Sequence, residues 1–93
     1  MTTVTIKSGL YRHSITAEGH ADSDVCNGVS ALMFMIAGCA LNKAYIKDAV
    51  IESGYMRLIF NSFRMKADVQ ALTIGLLQIE KAHPDQLKVI EKK

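Results

Sequence analysis

The chain has 93 residues, 49% of them hydrophobic and 22% charged, with a formal net charge of +2 at pH 7. That length fits one domain spanning residues 1–93, with a core small enough that pairing with a second copy is expected to bury further apolar surface. The slight charge gives no ground for direct nucleic-acid binding. The longest apolar run, Val29 to Leu41, falls short of the ~20 residues that span a bilayer, so no membrane partner is expected.

Met-Thr-Thr-Val-Thr at the N-terminus has no basic segment leading into an apolar one, so no signal peptide is read there. Thr3 to Lys7 alternates and is rich in β-branched residues, as a strand does. Ser8-Gly9 makes a turn into a second strand, in which Tyr11, His13, Ile15 and Ala17 share one face and Arg12, Ser14, Thr16 and Glu18 the other. Gly19 closes that strand and allows close backbone approach. A connection carrying Asp22, Ser23 and Asp24, each able to cap a helix, leads into a helix from about Val25 to Lys47. Val29, Leu32, Met33, Ile36, Ala40 and Ala44 form its apolar stripe, and Gly38 suits a site where another element packs closely.

Ala49–Glu52 and Tyr55–Phe60 flank Ser53-Gly54, a hairpin in which glycine supplies positive φ. After Asn61-Ser62, a loop with a possible cap, a second helix covers roughly Met65 to Ala82, with Val69, Leu72, Leu76 and Ile79 as its stripe. Pro84 ends it. Leu87 to Ile90 is a last short strand, and residues 91–93 read as a solvated tail. The order is ββ-α-ββ-α-β: an α+β domain with a mainly antiparallel sheet and two helices.

The chemistry concentrates in Gly19–Ser30. His20 ends a strand and Cys26 lies near the start of a helix, where free backbone N–H groups and a partial positive charge favour a thiolate. A neighbouring imidazole takes the thiol proton and returns it to a leaving group. Backbone N–H groups around Cys26 and Asn27 are natural donors to a developing oxyanion. Both cysteines, Cys26 and Cys39, fall in one predicted helix and cannot staple distant parts of the chain, which points to a reduced, cytoplasmic setting. No metal or cofactor is expected, because these cysteines and the scattered histidines match no standard zinc spacing.

Gly19-His20-Ala21, then Asp24-Val25-Cys26, then Val29-Ser30-Ala31-Leu32 resembles the signature of the ribosomal-processing cysteine proteases called Prp. The likeness extends to the Ser53-Gly54-Tyr55 hairpin and to the final helix ending in Ala82-His83-Pro84, and covers nearly the whole chain. It implies a small homodimeric α+β cysteine protease. In Firmicutes and related bacteria, members of that family remove a short N-terminal extension from a large-subunit ribosomal protein; phage and prophage relatives act on structural proteins of the virion. Residue by residue, His20 matches the family histidine and Cys26 the family cysteine. Asp24 resembles the acidic residue before that cysteine, and Ser30 the serine one turn into the helix. The chain departs from the family in a shortened loop, with only Ala21–Val25 between His20 and Cys26, and in Asn27, where the family has a small apolar residue.

The other conspicuous residues read as structural. Cys39 is mid-helix among apolar residues, His13 shares a strand face with Ile15, and His83 stands at a helix end. Asp24 serves as a helix cap before it serves as an orienting acid. The expected partner is an extended segment of another protein docking on an exposed strand edge. The alternative is a non-catalytic homodimeric binding or assembly protein with the same fold.

Overall fold

The alternation of the strand segments becomes a sheet with one face buried and one open. In the computed structural model, which describes residues 1–92, the elements are β1 (Thr2–Ser8), β2 (Arg12–Gly19), α1 (Ser23–Lys43), β3 (Tyr45–Glu52), β4 (Tyr55–Asn61), a 3-10 turn (Phe63–Met65), α2 (Lys66–Ala82) and β5 (Leu87–Lys92). The order is the expected ββ-α-ββ-α-β. The strands form one five-stranded sheet, β3-β4-β2-β1-β5, antiparallel except where β5 lies parallel to β1. β2 and β3 therefore run the same way, as do β4 and β5. Each pair is joined by a helical crossover, the connection that parallel strands require.

Register places Val4 opposite Ala17, Ile15 opposite Leu58 and His13 opposite Phe60, all buried under the helices. From above, α1 contributes Val25, Val29, Met33, Ile36 and Ala40, and α2 contributes Val69, Leu72, Thr73 and Leu76. The helices approach each other at small residues. A Cβ on Gly28 would meet Ile79 Cδ1 at 3.1 Å, and one on Gly75 would meet Leu32 Cδ1 at 3.1 Å. Gly38 has no such role, since nothing lies within 4 Å of a Cβ built there.

Three boundaries differ from the sequence reading. α1 begins at Ser23 and stops at Lys43, because Ala44 is already extended (φ −132°, ψ 165°). Tyr45 and Ile46 then pair with Asn61 and Phe60 of β4, and an irregularity between Ile46 and Asp48 breaks the alternation that would have revealed the strand. Glu91 and Lys92 are not a tail but pair with Ile6 and Lys7; Lys93 lies outside the described residues. α1 is 21 residues long and its most apolar stretch has a mean hydropathy of 1.6, enough by length and composition alone to cross a membrane. Its buried stripe faces the sheet and α2.

His13, fully buried, is satisfied on both ring nitrogens. Nε2 donates to the Ser62 carbonyl at 3.0 Å, so in the neutral ring Nδ1 accepts from the Ser8 hydroxyl at 2.7 Å. It fastens the β1–β2 end of the sheet to the segment after β4.

Candidate active site

The site forms where β2 gives way to α1. Gly19, at φ 97°, turns the chain out of the sheet, and a side chain there would run into the Met1 carbonyl. Its N–H donates to the Gly54 carbonyl at 2.9 Å, tying the end of β2 to the β3–β4 turn. His20 follows as an exposed residue beside that turn. After Asp22 at the helix N-cap, the first turn of α1 carries Cys26 back over the loop. The Ala21 N–H donates to Cys26 Sγ at 3.2 Å, and the thiol donates to the Ala21 carbonyl at 3.3 Å. One backbone residue thus holds the sulfur through both its N–H and its carbonyl. No hydrogen bond joins His20 to Cys26 among the described residues; the sulfur is partnered by Ala21.

His20 and Cys26 line one pocket of about 460 Å³. Its other walls include Ser30 and Phe34 of α1 and Ile51–Met56 of the β3–β4 hairpin. Of the supporting residues suggested by the sequence, Ser30 reaches this pocket. Asp24 and Asn27 are exposed on α1 and do not line it. Asp24 sits in the first turn, where its charge complements the helix dipole.

The proposed oxyanion donors also need correction. Because α1 starts at Ser23, the Cys26 N–H is already bonded to the Asp22 carbonyl at 2.9 Å, and Asn27 lies deeper in the helix. The N–H groups left without an intrahelical partner are one turn earlier, at Ser23, Asp24 and Val25.

Asp22, one of the three cap candidates, holds the N-cap position of α1. The Asp22 side chain makes no capping bond. Instead the Asp22 N–H donates to Gln86 Oε1 at 2.9 Å. The backbone of Gln86 is fixed in turn, its N–H donating to the His83 carbonyl at 3.0 Å and its carbonyl accepting from Thr2 at 2.9 Å. His83 stands at the end of α2, where the sequence placed it, and the bonds it makes there are through its backbone. Gln86 carries no local signal for this role, since it lies 64 residues from its partner. The Arg57 guanidinium is raised above its ordinary range by its hydrogen bond and charge pairing with Asp48 (Nε to Oδ2, 2.8 Å). That pair lies on the open face of the sheet, away from the pocket.

No protein-family model and no curated protein matches the chain by sequence. Among solved structures, it superposes on the ribosomal processing protease Prp from S. aureus, crystallised in complex with a covalently linked product peptide. The TM-score is 0.84, with 21% identity, covering 99% of this chain and 100% of that one. SMU.848 from Streptococcus mutans is also similar (TM-score 0.75, 18% identity, 98% and 93% covered). A single small α+β domain of this topology is thus a known architecture. The chain has the Prp fold over essentially its whole length.

Proposed function

We propose that this chain is a Prp-like cysteine endopeptidase. The observation that carries the reading is that His20 and Cys26 line one pocket on the fold of a protease crystallised with a covalently linked product peptide. Cys26 is the nucleophile. His20 takes its proton as the sulfur attacks the scissile carbonyl, then delivers that proton to the leaving amine as the C–N bond breaks. Water, deprotonated by the same imidazole, hydrolyses the thioester and restores the thiol. The Ala21 N–H stabilises the attacking thiolate, and the free N–H groups of Ser23–Val25 are the available donors of the α1 start.

The substrate is an extended protein segment: the N-terminal extension of a ribosomal protein, or a phage structural protein. β3 supports this, because it is an edge strand whose last residues, Ile51 and Glu52, also line the pocket. The enzyme works in the cytoplasm as a homodimer without a cofactor. The test is cleavage of the host's extended ribosomal protein and of neighbouring phage structural proteins. Wild type should cut one of them, and Cys26→Ala and His20→Ala should each abolish the cut with non-additive effects. Equal cutting by Cys26→Ala would overturn the mechanism. No cutting together with an unreactive Cys26 would favour a non-catalytic binding protein.

A further inference from the structure

We propose that Gly54 is a positioning residue for His20: its bare Cα is the surface against which the imidazole rests, and any side chain there pushes the ring out of place. A Cβ built on Gly54 would lie 2.5 Å from His20 Nε2, 2.8 Å from Cε1 and 3.3 Å from Cδ2. The first two are separations that real Cβ atoms essentially never show, so something must give. The backbone is held, because the Gly54 carbonyl accepts from Gly19 at 2.9 Å and the flanking residues Glu18 and Tyr55 are paired across the sheet. His20 is the tip of an exposed side chain and yields more easily. Gly54 is thus required twice, once for its φ of 75° and once for the absence of a Cβ. The first requirement belongs to the turn. The second belongs to the site, and reaches His20 from across the sheet.

The inference rests on the reading of His20 as the general base, but its main test needs no turnover. In the wild-type protein, NMR should show nuclear Overhauser contacts between the His20 ring and the Gly54 α protons. Gly54→Asn is the informative variant, since asparagine accepts positive φ better than other side chains while placing a Cβ in the same spot. It should shift the His20 ring resonances. It should also lower the melting temperature less in a His20→Ala background than in wild type, because strain in the turn is common to both backgrounds and the collision is not. With a cleavable substrate, Gly54→Asn should reduce kcat by about 10²-fold with little change in KM. Equal destabilisation in both backgrounds, failure to fold in both, or unchanged His20 resonances would each overturn the proposal. If wild type cuts nothing, the protease reading fails, while the ring contact and the double-mutant cycle still decide the role of Gly54.

Discussion

The two cysteines share a helix and have opposite surroundings. Cys26 lies on a pocket wall with the Ala21 N–H at its sulfur, whereas Cys39 packs partly buried against the core. Iodoacetamide at neutral pH should therefore modify Cys26 first, as read by mass spectrometry; preferential labelling of Cys39 would contradict this. His13→Ala should destabilise the fold by about 2–4 kcal/mol in denaturant unfolding, since it opens a cavity and strands the Ser62 carbonyl. It should leave the chemistry of the folded molecules unchanged. That His20 and Cys26 would share one pocket was legible because they are near neighbours in the chain and each carries its own chemistry. The roles of Gln86 and Gly54 were not. Nothing in a glutamine or a turn glycine says that it will touch Asp22 or His20, because that contact is made by sheet topology.

At the level of elements, hydrophobic period found the strands, both helices and their order, and failed where local geometry interrupts it. The irregularity near Lys47 hid the first half of β3 and lengthened α1 on paper. The two edge strands are treated differently. On β5, the Val89 N–H donates to Glu80 Oε2 of α2 at 2.6 Å, and Lys88 and Lys92 stand along the strand, so that edge is discouraged from pairing. Glu80→Ala should cost about 1–2 kcal/mol in unfolding, as a charge-assisted bond is lost. β3 is irregular only at its start, which leaves the regular segment Ala49–Glu52 beside the pocket. A substrate peptide added to the Cys26→Ala protein should slow amide exchange in that segment; protection confined to β5 would place docking on the wrong edge.

For the molecule as a whole, the buried stripes of α1 and α2 leave large apolar side chains outside. Phe34 is 55% exposed, Leu41 75% and Ile74 60%. We expect self-association to cover part of them. Light scattering at micromolar concentration should give twice the 10.2 kDa chain mass, and Phe34→Glu with Leu41→Glu should shift it toward the monomer. A monomer mass for the wild type would leave the exposed apolar side chains to some other partner.

The pairing of β1 between β2 and β5 also sets where attachments emerge. Thr2 lies opposite Gly19, and a side chain on Gly19 would meet the Met1 carbonyl, so anything fused ahead of Met1 leaves the sheet next to His20. β5 runs parallel to β1 and carries Lys92 to the far end, opposite Lys7, about 20 Å away along the strands. A segment attached ahead of Met1 would thus emerge at the end of the sheet where Gly19 leads into His20, whereas Lys92 lies at the opposite end of the strands. Such a segment would crowd the pocket that His20 and Cys26 line, and a linker placed there offers a ready tether for delivering a test peptide to Cys26.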